Sequence, residues 1–195
     1  GEKILSQCME RYGGFDHNVQ TLRIVTSIEN KYYKFYGLNL TIETLEGLIK
    51  HNGPVKNLVP YKALLKNDLF SNKIVFNALP SLEAQVAAIS DDIAYNNHDL
   101  EDGLRADLFT IKEISSIPYL SKLINKHVKN IKNFRREIII SQIVRDLINL
   151  MVLDVINTTN KNLKKSSPQS INDIYKQGQL IVDFSDKMKI IDKQI

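Results

Sequence analysis

Cysteine is almost missing from this chain: Cys8 is the only one in 195 residues. That excludes an internal disulfide and a thiolate metal cluster, and it fits a reducing, cytoplasmic compartment. A surplus of one charge is missing too. Lys and Arg number 26 against 22 Asp and Glu, a net charge of +4, too balanced to argue for nucleic acid by charge alone. There is no long uninterrupted apolar run. The most apolar stretch, 138–156, is broken by Arg145, Asp146 and Asp154. A membrane span needs roughly 20 mostly apolar residues, so this stretch reads as a buried core helix and no membrane partner is expected. The chain opens on Gly1-Glu2-Lys3, without an initiator Met or a signal-peptide pattern, so its start reads as a cut. No internal repeat and no strand–turn–strand series is present, which points to an all-α fold. The length suits one domain with a sizeable core.

What is present is helical periodicity. A short amphipathic helix is expected over 3–12, stopped by Gly13-Gly14. A second is expected over 18–32, followed by the aromatic connector Tyr32-Tyr33-Lys34-Phe35-Tyr36-Gly37. Thr41 suits the cap of a third, over 42–51, and Asn52-Gly53-Pro54 suits its end. Shorter helices are expected at 61–69, around 111–132 with a break near Pro118, and at 171–175. A long helix is expected over 135–159, then a polar basic loop over 161–168, an extended stretch at 181–185 and a helical tail from Asp186.

The densest chemistry lies in 90–104, where Asp91, Asp92, Asp99, Glu101 and Asp102 accompany Tyr95 and His98. Leu82, Val86, Ile89 and Ile93 fall on one helix face, and Asp91, Tyr95 and Asp99 form a neighbouring stripe at a spacing of four. Such a stripe can offer hard oxygen ligands to a divalent metal from a rigid element. The plainer reading is a solvated acidic face. Tyr95 on the same stripe argues for partial enclosure, with Asp91 facing a concave pocket.

Three ordered blocks carry a resemblance. Gly14-Phe15-Asp16-His17-Asn18-Val19-Gln20-Thr21-Leu22-Arg23 is similar to a GFxHNxQxLR signature. Leu38-Asn39-Leu40-Thr41, continuing through Leu45-Glu46-Gly47-Leu48-Ile49-Lys50-His51, is similar to an LNLTxExLEGxxKH block. Glu83-Ala84-Gln85, Asp91-Asp92-Ile93-Ala94-Tyr95 and His98-Asp99-Leu100-Glu101-Asp102 are similar to an EAQ…DDIAYxxHDxxD block. Together they resemble the deoxyguanosine triphosphate triphosphohydrolase-like branch of the bacterial HD-domain phosphohydrolases. The distinctive motifs cover 1–110, and the resemblance is diffuse over 111–195.

The resemblance implies an HD-like helical bundle, of which 1–195 is a C-terminal portion, and a single divalent ion such as Mg or Mn. It implies an ion held by an upstream His, a His-Asp pair and a distal Asp. Asp91 matches the distal Asp. Gly1-Glu2 matches the end of an HDxGHxxFGHxGE segment, so the other ligands would precede residue 1 and the isolated chain is expected to be inactive. Glu2 matches the acid beside the attacking water and, as the second residue, is expected to be disordered. His17 and Asn18 match positions near the substrate phosphates. Lys50 matches a triphosphate-contacting lysine; its plainer reading is an exposed lysine favourable at a helix C-terminus. Tyr95 and Asp99 match sugar-contacting positions, the ring excluding a 2′-hydroxyl by shape. Arg23 and Arg145 suit either phosphate contacts or surface ion pairs, and His51, His98 and His127 are read as structural.

The leading expectation is thus metal-dependent hydrolysis of deoxynucleoside triphosphates to deoxynucleoside and triphosphate by the parent protein, as a homo-oligomer. The alternative is a non-catalytic module that oligomerises or binds nucleotide or single-stranded nucleic acid.

Overall fold

The computed structural model describes residues 1–65, 73–118, 120–128 and 134–195. Among these residues no strand is present, and the one β-feature is an isolated bridge between Asn30 and Gly37. The helices are α1 (Glu2–Cys8), α2 (His17–Arg23), α3 (Ile42–Lys50), α4 (Val59–Leu64), α5 (Leu82–Arg105), α6 (Ile111–Ile114), α7 (Ser121–Val128), α8 (Arg136–Ser166), α9 (Ile171–Tyr175) and α10 (Asp186–Asp192). The fold is all-α, as the sequence implies. None of the described helices is long and apolar enough to cross a membrane.

The chain divides into two compact units, one of residues 1–85 and 168–180, the other of 86–167 and 181–195. In the first, Leu22 of α2, Leu45 and Ile49 of α3, Tyr61 of α4, and Leu65, Ile74 and Phe76 form the core. Thr41 caps α3 by accepting from the Thr44 N–H, and the i, i+4 pair Leu45/Ile49 gives that helix its core face. Between α2 and α3 the chain turns tightly. Leu38 N donates to the Val25 carbonyl at 2.7 Å. Gly37, at φ +68°, lies where a Cβ would stand 2.5 Å from that carbonyl oxygen and from the Thr26 carbonyl carbon, so only glycine fits.

In the second unit the spine is α8, 31 residues long. Its buried residues Ile140, Ile143, Val144, Leu147 and Met151 recur at helical spacing and pack in one cluster with Ile93, Leu100 and Leu104 of α5, Ile124 of α7, and Met188 and Ile191 of α10. Asp154 of α8 accepts from Ser185 N and Oγ at 2.8 and 2.7 Å. Ser185 in turn caps α10 at Met188 N.

Several boundaries differ from expectation. The first helix stops at Cys8 and is followed by a 3₁₀ turn, Glu10–Tyr12. The second ends at Ile28 through a π-helical turn, Ile24–Ile28. There the β-branched run Ile24-Val25-Thr26 crowds the helix, and Thr26 Oγ1 bonds back to the Leu22 carbonyl at 2.7 Å. The basic stretch from Lys161 is helix rather than loop: α8 runs to Ser166, and Ser167 ends it at φ +44°. Lys161, Lys164 and Lys165 are good helix formers, and cations at a C-terminus suit the dipole. The stretch 181–185 forms no strand; Ile181, Val182 and Phe184 are buried there as irregular chain. In 61–69 and 111–132 the helices are α4, α6 and α7, and the parts at 66–69, 119 and 129–132 lie outside the described residues.

Because Leu147 is 1 % exposed at the centre of the second cluster, Leu147→Ala should cost about 2–5 kcal/mol by lost transfer energy plus a cavity. Urea denaturation followed by circular dichroism measures it. A loss under about 1 kcal/mol would mean the site collapses or is not core.

Candidate active site

The start of α2 is built by its own loop. Gly13 and Gly14, at φ +97° and +82°, reverse the chain. Asp16 is the N-cap, and its carboxylate accepts from Val19 N at 2.9 Å. This cap presents His17 and Asn18 at the first turn. Glu2 reaches the same turn from α1. Its Oε1 accepts from His17 N and lies 2.9 Å from His17 Nδ1. The residue expected to be disordered is instead held by these two bonds in the first turn of α1.

The other imidazole nitrogen, His17 Nε2, is 3.1 Å from Asn52 Nδ2. His51 packs edge-on against the His17 ring at a centroid distance of 5.4 Å, and its own Nδ1 lies 3.0 Å from the Leu48 carbonyl oxygen. Glu2 Oε1, His17 and Asn52 thus form a carboxylate–imidazole–amide chain. With the carboxylate ionised, Nδ1 donates to it and Nε2 accepts from the amide. His17 bonding, through side chain and backbone, lowers the Glu2 pKa below its ordinary value. Behind the chain stands Tyr61, only 4 % exposed. Burial, and next the Asp16 charge, raise its phenol. Asn18 is buried, and its Oδ1 has no hydrogen-bond partner.

Lys50 is not the exposed lysine of the plainer reading. It has 0 % exposure. Its Nζ donates to the Ala78 and Leu79 carbonyls at 3.3 and 3.1 Å. The same ammonium stands 2.6 Å from Glu46 Oε1 as an i, i+4 ion pair. The Tyr175 ring covers it, with a centroid distance of 4.7 Å, and the Tyr175 hydroxyl donates to Glu46 Oε2 at 2.7 Å. Burial, reinforced by Glu46, pushes the Tyr175 phenol well up.

In the second unit, α5 carries Asp91, Tyr95 and Asp99 on one stripe as expected, but all three are exposed, Tyr95 by 67 %. The anticipated enclosure of that stripe is not seen. The reason is the register of burial. The α5 residues turned inward are Ile93, Asn97, Leu100 and Leu104, whereas Val86, expected on the core face, is 49 % exposed. Asn97 replaces an apolar side chain in this series, donating to the Ile93 carbonyl at 2.8 Å and contacting Met151 Sδ at 3.1 Å. Arg23, Arg145 and His98 are exposed. His127 is buried, with Nε2 2.9 Å from Asp146 Oδ2, the structural role expected of it.

The residues described do not by themselves fit the divalent ion that the motifs imply. Among them no group of three or more His, Cys, Asp or Glu side chains is placed to hold one, and Asp91, the residue matched to a ligand position, is a single carboxylate where such a site needs several. Sequence reasoning missed Asn52, Tyr61, Glu46 and Tyr175. Glu46 had a signal, since an acid four residues before a lysine is its helix neighbour. Tyr175, 129 positions from Glu46, had none.

His17→Ala should return the Glu2 carboxyl toward its ordinary 4.5, followed by its ¹³C shift across a pH titration. The sign is that of a depressed carboxyl. Its stabilising contribution is present above 4.5 and lost as pH falls through the lower, folded value. An identical midpoint with and without His17 would mean that the pair does not form in solution.

No family model matches the chain. Curated relatives match it along its whole length. It is 50% identical over 195 residues to a deoxyguanosinetriphosphate triphosphohydrolase-like protein of Pelagibacter ubique, covering 100% of this chain and 53% of the relative. It is 40% identical to the protein of that name from Bartonella tribocorum and 42% identical to that from Rhizobium meliloti, in each case over 100% of this chain and 50% of the relative. The chain spans about half the length of the curated relatives it matches. It belongs with the deoxyguanosinetriphosphate triphosphohydrolase-like proteins.

Proposed function

We propose that the whole protein hydrolyses deoxynucleoside triphosphates, dGTP among them, adding water at the α-phosphorus and releasing deoxynucleoside and intact triphosphate. We propose further that residues 1–195 alone do not turn over. The observation that carries the reading is the Glu2–His17 pair, two residues of separate motif blocks joined at 2.9 Å. An ionised carboxylate on an imidazole is a proton-handling device, and such groups contribute on the order of 10²–10⁴-fold. In this reading Glu2 accepts the proton of the attacking water and His17 keeps the carboxylate ionised and oriented. Asn18 adds a buried, unpartnered acceptor beside them.

Asp91 would supply one ligand to a divalent ion in the whole protein. Tyr95 would lie against the deoxyribose, and Asp99 would accept from its 3′-hydroxyl. Lys50 belongs to the same reading as the triphosphate residue, but it meets a phosphate only after its surroundings open. A homo-oligomer is part of the proposal. So is single-stranded nucleic acid as a partner, supported by the exposed rings of Tyr32, Tyr33 and Tyr36 beside Lys31 and Lys34.

The test is triphosphate release from dGTP with manganese. The whole protein should turn over, its Asp91→Ala variant should not, and the 195-residue chain should be silent. Turnover by the chain that Asp91→Ala abolishes would overturn the second claim, and a silent whole protein would overturn the first.

Sugar selection gives a separate expectation. Asp91, Tyr95 and Asp99 succeed one another by single turns of about 5.4 Å, a span comparable to that from α-phosphate to sugar. In the whole protein, Tyr95→Ala should lower the dGTP-to-GTP ratio of kcat/KM through better relative use of GTP. An unchanged ratio places the discrimination on other residues.

A further inference from the structure

We propose that Tyr175 is a latch that withholds the Lys50 ammonium, and that release of α9 turns Lys50 into a binding group for a polyphosphate chain. The proposal rests on the reading of Lys50 as the triphosphate residue.

Tyr175 touches both members of the buried ion pair. Its ring closes over Lys50 Nζ at 4.7 Å, and its hydroxyl holds Glu46 Oε2 at 2.7 Å. The remaining partners of the ammonium, the Ala78 and Leu79 carbonyls, are fixed backbone. Among the described residues, Tyr175 is thus the aromatic cover of the ammonium. It sits at the end of a helix of only five residues, far too short to persist by itself. Departure of that helix would uncover one buried apolar side chain, Ile174. Among the described residues the buried cluster of this unit is made by Leu22, Leu45, Ile49, Tyr61, Leu65, Ile74 and Phe76, without a member from 168–180. Once the ring is gone, an ammonium on two carbonyls and a single carboxylate faces outward. A chain of phosphates brings more charge to it than Glu46 does.

The experiment uses the 195-residue chain, with inorganic tripolyphosphate as the probe. Lys50 acetylation by an N-hydroxysuccinimide ester is mapped by mass spectrometry, and circular dichroism confirms folding. Native Lys50 should be protected. Tyr175→Ala should raise its labelling and tighten tripolyphosphate binding by about tenfold, the fold-change of one bond to a charged group. Adding Lys50→Met should abolish the gain in affinity. Tyr175→Phe keeps the ring and loses only the hydroxyl, so it should raise labelling less; if Tyr175→Ala does not fold, a rise in Tyr175→Phe decides the matter.

Lys50 staying protected in a folded Tyr175→Ala chain, or in Tyr175→Phe where Tyr175→Ala does not fold, overturns the latch. Labelling that rises with no change in tripolyphosphate affinity overturns the gate and the phosphate role of Lys50 together. A whole protein that leaves dGTP intact overturns the proposed reaction, while the protection of Lys50 by Tyr175 is read independently of it.

Discussion

A lysine ammonium taken fully out of water must be met by charge and by acceptors, because an unpaired buried charge is among the most costly features a fold can carry. Lys50 sets that requirement in the first unit, and distant parts of the chain answer it. Glu46 comes from one turn back on α3, the carbonyls from 28 and 29 residues ahead, and Tyr175 from the returning stretch 168–180. Removing one partner of such a pair typically costs about 3–5 kcal/mol. The register of α3 follows from this. Leu45 and Ile49 serve the apolar core while Glu46 and Lys50 are buried on an adjoining face. Gly47 lies between, where an added Cβ would stand 3.4 Å from Ala84 of α5, so the two helices approach closely.

That constraint also shows where sequence reasoning stops. Helix identity was legible wherever the signal was local. Thr41 caps its helix as its sequence position implies, and the glycines at 13 and 14 stop the first helical segment; Asp16 and Ser185 cap two further helices whose caps were not read from the sequence. The long core helix was legible from Ile139, Ile143 and Leu147 at their spacing. Its true end was not. Lysines and asparagines read as loop by polarity, yet Asn162 bonds the Ile181 carbonyl at 2.9 Å and holds the last turns in place.

The candidate site divides in the same way. The motif blocks placed Glu2, His17, Asn18, Lys50, Asp91, Tyr95 and Asp99 on the list, but motif matching carries no burial. The plainer reading of Lys50, an exposed helix-end lysine, came from its place just before the helix end at Asn52-Gly53-Pro54. Asp91 was expected in a pocket because Tyr95 shares its stripe. In both cases the deciding residues come from elsewhere. Tyr175 covers the lysine, and Asn97, a polar residue among Ile93, Leu100 and Leu104, marks the face of α5 that is actually buried.

The protonation states fix what kind of signal the first unit can respond to. Glu2 is held below the ordinary carboxylate range by His17, and Tyr175 is pushed up by burial and by Glu46. The two groups move in opposite directions, so near neutral pH one stays an anion and the other a neutral donor. The Tyr175 phenol is thus kept as a donor to Glu46. Only a partner with higher affinity for the uncovered ammonium than for the covered one can shift that equilibrium. On the proposed reading, a multiply charged phosphate chain is that partner. The cost of lifting α9 would then appear as weaker binding of the triphosphate than an already open lysine would give.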